Sequence, residues 1–172
     1  MRYIKAHKAR LHGKRNKKSI KYIVIHYTNN VGDTAEGNCR YFSRLDNPKL
    51  TTGAHFFVDH MGNCIKSIPM NQIAYSVGGE YNTDVAKYYK KCTNANSVSI
   101  EIANLVNGDL KAGHYIGLKK AIKYIKKYCP NAKTIIRHWD VNGKICPYGM
   151  TGKDNAKWSA LRKELYRMLE GD

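Results

Sequence analysis

The six residues Tyr22-Ile23-Val24-Ile25-His26-Tyr27 limit the fold more than any other stretch of the chain. They are apolar at both alternating parities, so the strand they form has no face to give to water and belongs in the middle of a covered sheet. One residue breaks the rule: His26 places an imidazole at the end of that strand. Further strands are expected at Ala54–Asp59 and Cys64–Ile68, joined as a hairpin through Met61-Gly62-Asn63, and at Lys133–Arg137. Ser97 to Ala103 alternates strictly, with Val98, Ile100 and Ile102 on one side and Ser99 and Glu101 on the other. Helical signals fall between them. Asp33-Thr34-Ala35-Glu36 has the form of a capping box opening a helix to about Leu45. Leu118, Ala121, Ile122, Ile125 and Cys129 form one apolar stripe over about 114–129. Trp158, Leu161, Leu165 and Leu169 do the same over about 154–169. The fold class is α/β: a single domain with a mixed central sheet flanked by helices.

Charge divides the chain into a basic N-terminal arm, 1–20, and a domain, 21–172. Nine cations precede the first acidic residue, Asp33, within a net charge of +17. The arm is either a solvated terminus or a binding element. Its polar run Lys14-Arg15-Asn16-Lys17-Lys18 stands where a secretory signal would carry an apolar stretch, so cytoplasmic synthesis is expected. With 42% hydrophobic residues, the chain is too apolar for a disordered basic tail. It also lacks a run near the ~20 apolar residues of a transmembrane segment. What remains is a basic domain with a polyanionic partner: nucleic acid, an anionic membrane or an anionic cell wall. The five cysteines, odd in number and without a CxxC pair, suggest buried thiols and a ligand in place of a disulfide framework.

Three residues have metal-ligand chemistry near strand ends: His26, His138 and Cys146. Two imidazoles and a thiolate suit a catalytic zinc, because three protein ligands leave a fourth position open. His-x7-Cys is no chelating spacing on a regular element, so Asp140, Asn142 and Gly143 are expected to form a loop that closes it. Glu101 is a candidate general base and Lys144 a candidate oxyanion stabiliser. Taken singly, His26 also fits a core histidine, Glu101 a solvated edge carboxylate and Lys144 a surface lysine.

Five motifs occur in order: Ile23-Val24-Ile25-His26-Tyr27-Thr28, Gly53-Ala54-His55-Phe56-Phe57-Val58-Asp59, Asn96-Ser97-Val98-Ser99-Ile100-Glu101-Ile102, Arg137-His138-Trp139-Asp140 and Lys144-Ile145-Cys146-Pro147. Together they resemble the type 2 N-acetylmuramoyl-L-alanine amidases, zinc enzymes related to peptidoglycan recognition proteins, over roughly residues 20–165. The likeness is to phage, prophage and autolytic enzymes of Gram-positive bacteria. The resemblance implies a Zn2+ cofactor on His26, His138 and Cys146, catalytic roles for Glu101 and Lys144, and a site-lining or structural role for His55, with Tyr75 a further substrate-binding candidate. It implies hydrolysis of the amide between the lactyl group of N-acetylmuramic acid and the stem-peptide L-alanine. Two departures stand out. Ala54 occupies a position where some phage members use a tyrosine hydroxyl, and Ser76 one where many relatives have histidine.

The implied partners are peptidoglycan and, through electrostatics, anionic wall polymers, reached after release or non-classical export. No specific nucleic-acid partner is expected, since zinc-finger spacing, RNP-like motifs and a GXXG loop are all missing. Two alternatives carry different chemistry. One is a non-catalytic peptidoglycan-binding module of the same fold. The other is a Cys–His cell-wall peptidase built on Cys146, His138 and Asp140, against which Pro147 removes a backbone donor beside the thiol.

Overall fold

In the computed structural model, which describes residues 1–45 and 49–171, Tyr22–Tyr27 (β2) lies inside a six-stranded sheet. The sheet order is β1-β4-β3-β5-β2-β6, with β1 Arg2–Tyr3, β3 Phe56–Val58, β4 Cys64–Lys66, β5 Ser97–Ile102 and β6 Thr134–Arg137. Only the β3–β4 hairpin is antiparallel; β2 pairs in parallel with both β5 and β6. Its apolar parities are thereby explained, because Ile23, Val24 and Ile25 are all fully buried.

One face of the sheet carries Ile23, Ile25, Val98, Ile100 and Ile102 against the helices α2 (Ala112–Tyr128) and α4 (Ala156–Glu170). Gly117 makes this approach possible: a Cβ there would lie 2.6 Å from the Asn63 carbonyl and 2.9 Å from the Val58 side chain. The opposite face is closed in part by α1 (Ala35–Ser43), where Ala35 and Cys39 meet Phe57 and Ile65. Thr34 caps α1 by accepting from Gly37 N. Asp33, the expected start of the capping box, instead accepts from Asn38 Nδ2 and from Asn104 N.

Two expectations change. The segment after β6 is not a loop but a one-turn helix, α3 (His138–Asn142), ended by Gly143 in the left-handed region at φ 79°. Asp140 makes that turn possible by accepting from Arg137 N at 2.8 Å. Residues 1–20 are not a solvated tail either. β1 adds to the sheet edge beside β4, Ala6 and Ile20 are buried, Arg10 is sunk into the domain, and Arg15 is half-buried. The Arg10 guanidinium donates to the carbonyls of Phe42, Leu50 and Thr52. Arg15 donates to those of Met70, Asn94, Ala95 and Ser97. All five cysteines are buried free thiols. Among the described residues no helix is long and apolar enough to cross a membrane.

Candidate metal centre

Parallel pairing puts His26 of β2 level with Glu101 of β5, so both emerge on the same face near the carboxyl ends of their strands. In such sheets that is where ligands bind. The next strand delivers the second imidazole. β6 runs straight into α3, and His138, its first residue, packs edge-on to His26 with ring centroids 4.7 Å apart. Gly143 turns the chain back so that Cys146 returns beneath α3, with Trp139 N donating to Cys146 O at 3.0 Å. The long His138–Cys146 spacing is thus closed by a helical turn and a glycine.

The donor atoms of His26, His138 and Cys146 lie within 4.8 Å of one another, and all three residues are buried. His26 Nδ1 is 3.8 Å from Cys146 Sγ. Donors around one tetrahedral zinc stand about 3.3–3.8 Å apart, given bonds of about 2.0–2.3 Å. His26 Nε2 and His138 Nδ1 have no hydrogen-bond partner despite being buried. Burial is the main force on each group. It pushes His138 down to about 3 and His26 well below its ordinary range, so both imidazoles are neutral with a lone pair to give. Burial and Glu101 push the Cys146 thiol upward, so a nearby cation is needed to hold it as thiolate. This donor set fits a bound zinc.

A cleft of about 630 Å³ opens onto the cluster, and Glu101, Lys144, Tyr75 and Tyr81 line it with the three donors. Glu101 is not an edge carboxylate, since β5 lies between β3 and β2. Its Oε2 is buried without a partner, and burial raises its pKa to about 8 against the opposing pull of Lys144. The Lys144 ammonium stands exposed at the rim, 5.7 Å from the Tyr81 ring centroid. Tyr75 presents one ring face to His12, stacked at 3.4 Å, so the N-terminal segment supports a wall of the cleft.

His55 is placed elsewhere. It is 1% exposed, lies behind the cleft wall, and is held by Ser99, the Gln72 carbonyl and Arg15 Nη2 at 2.8 Å. Burial and Arg15 lower its pKa to about 3. It buttresses the site from within. The Cys146–His138–Asp140 arrangement is not assembled: both Asp140 oxygens are engaged by Arg137, and the imidazole beside the thiol is that of His26.

Asn142 and Thr28 escaped the sequence reading as site residues. Asn142 Nδ2 is 3.1 Å from His138 Nε2 and also reaches the carbonyls of Gly78 and Gly79, tying His138 to the opposite wall. The i, i+4 spacing of His138 and Asn142 would have placed them on one face had the segment been read as a helix. Thr28 lines the cleft with Oγ1 buried and unpartnered.

Residues 16–149 match the family described as N-acetylmuramoyl-L-alanine amidase. Among curated proteins, the chain is 28% identical over 156 residues to the N-acetylmuramoyl-L-alanine amidase CwlL of Bacillus licheniformis, covering 87% of this chain and 42% of that one. The chain thus spans less than half the length of that relative. Among solved structures, PlyL superposes with a TM-score of 0.68 at 20% identity, covering 100% of this chain and 98% of that chain. The catalytic domain of XlyA gives 0.65 at 22% identity, covering 98% and 99%. Both likenesses are of fold.

Proposed function

We propose, from the premise that the chain belongs to the N-acetylmuramoyl-L-alanine amidase family, that it hydrolyses the amide joining N-acetylmuramic acid to the L-alanine of the peptidoglycan stem peptide. The biological setting is that of a phage or prophage endolysin or an autolysin acting on the cell wall. One observation carries the reading: three buried donor residues, two with unpartnered nitrogens, meet in one cleft with a carboxylate set level with His26 by strand register.

His26, His138 and Cys146 would hold a zinc ion. Zinc in such a position supplies Lewis acidity and lowers the pKa of water toward neutrality. The protein's own groups do the rest. Glu101, whose unpartnered Oε2 faces no competing donor, accepts the proton of the attacking water. It then returns that proton to the departing L-alanine nitrogen, completing the hydrolysis. Lys144 sets a positive charge at the cleft rim, where it favours the charge growing on the carbonyl oxygen. Tyr75, fixed by His12, bounds the space the substrate enters. Ala54 is buried and brings no hydroxyl, so proton transfer falls to Glu101.

Digestion of purified peptidoglycan followed by mass analysis of the soluble products tests this reading. Stem peptides carrying a free L-alanine amino terminus are the expected product. New reducing sugar ends, or cleavage within the stem peptide, would overturn it.

A further inference from the structure

A larger recess than the catalytic cleft lies on the other side of α3. It measures about 890 Å³ and runs along β6 between α4 and the turn at Thr83–Val85. The two sites share α3, which turns His138 toward the catalytic cleft and Trp139 and Asp140 toward this groove.

The groove has an unusual lining. Lys87, Lys153, Arg162 and Lys163 stand around it. Among the described residues, none of the four has a carboxylate within 4.0 Å. The acidic groups of the lining are Asp84 and Asp140, and Asp140 is closed into the Arg137 fork. Four aromatic rings lie among these charges, each with a cation over it. Lys87 lies 5.9 Å from the Tyr88 ring and Arg162 5.4 Å from Tyr166. Arg137 lies between Trp139 at 4.5 Å and Trp158 at 5.1 Å.

These details narrow the occupant. A peptide strand added to the sheet edge would need the outward amides of β6. Both are already used, Ile135 N by the Tyr166 hydroxyl and Arg137 N by Asp140. Single-stranded nucleic acid would stack its bases on open ring faces, and here one face of each ring already carries a cation. An anionic chain without stacking bases has neither requirement. Its phosphates would meet cations that lack carboxylate partners, while its polyol or sugar carbons would lie against the half-buried rings of Tyr88, Trp139 and Tyr166.

We infer that this groove binds a phosphodiester-linked polyol or sugar polymer, separately from the catalytic cleft. The choice of a wall polymer rests on the proposed wall-directed function, while the groove itself does not depend on turnover. Binding would hold the enzyme on the wall with its cleft, one helical turn away, free to work.

The sequence contains two tryptophans, Trp139 and Trp158, and both line the groove, so intrinsic fluorescence reports on it directly. The probe is a deacylated poly(glycerol phosphate) chain titrated into the full chain. A saturable fluorescence change is expected. The triple variant Lys87→Glu, Arg162→Glu, Lys163→Glu should weaken it by about tenfold or more. An equal charge change on the exposed face of α2, Lys119→Glu, Lys123→Glu, Lys126→Glu, should weaken it by less than about threefold. Circular dichroism checks that both variants fold, and both should still cleave a short soluble muropeptide. Equal weakening by the two triples, no fluorescence change, or single-stranded DNA binding as tightly with the same response would overturn the groove assignment. Loss of muropeptide cleavage by the wild type would instead bear on the catalytic reading.

Discussion

Glu101 carries two conflicting demands, and they can be measured apart. As a proton acceptor it must be ionised, yet in the metal-free chain burial raises its pKa from 4.5 to about 8, and a divalent cation held beside it would favour the carboxylate. Between those values the folded chain holds a proton that the unfolded chain has lost, so stability falls as pH rises through that window. In chelator-treated protein at pH 8, Glu101→Gln should therefore unfold at higher urea concentration than the wild type, by a few kcal/mol at most. The same variant should lose about 10²–10⁴-fold in turnover. Unchanged turnover would remove Glu101 from the chemistry. His55 shifts the other way, from 6.5 to about 3, through burial and Arg15. The folded chain then binds fewer protons than the unfolded one, so stability falls as pH drops from about 6.5 toward 3. His55→Gln should flatten the loss of urea stability between pH 6.5 and 4, and identical slopes would show that another group governs it.

At the scale of elements, the N-terminal segment changes most in meaning. Arg10 and Arg15 look like two cations of a basic run, but Arg10 is buried, Arg15 is half-buried, and both guanidiniums are engaged by backbone carbonyls. Arg15→Ala would leave several carbonyls without their donor, costing about 2–4 kcal/mol. Thermal unfolding should show the loss, and deleting residues 1–20 should lower stability further. An unchanged melting temperature in both would restore the picture of a passive tail. The strands and long helices were legible because their periodicities are set by burial, as in Ile23–Ile25 and Leu118–Ile125. Two elements were not. β1 is only two residues long and draws its existence from pairing with β4, which no local pattern announces. α3 is five residues that include Asp140 and Asn142 and end at Gly143, the usual formers of loops, and its order comes from the Asp140 contacts to Arg137. Of the site, the donor types were legible from residues and motifs. The inward role of His55, the tethering of His138 by Asn142 and the central position of β5 needed the three-dimensional arrangement.

The charge of +17 belongs to the whole molecule, and under the proposed function it should act differently on two substrates. Lysis of intact walls should fall as ionic strength rises and the screening length drops below about 10 Å. Hydrolysis of a small neutral muropeptide should hardly respond to the same salt. Parallel decline of both rates would mean that salt acts on the site itself and not on approach to the wall. In the proposed function the wall would be reached through surface charge and the bond through a buried cluster, so the cluster is the place to test the central claim. The most direct measurement strips the protein with a strong chelator, then titrates zinc back while following release of L-alanine amino termini from purified peptidoglycan. Release should vanish on stripping and recover to a plateau at one zinc per chain, with Cys146→Ser recovering little. Full release from metal-free protein, or recovery unaffected by Cys146→Ser, would contradict a zinc amidase built on His26, His138 and Cys146.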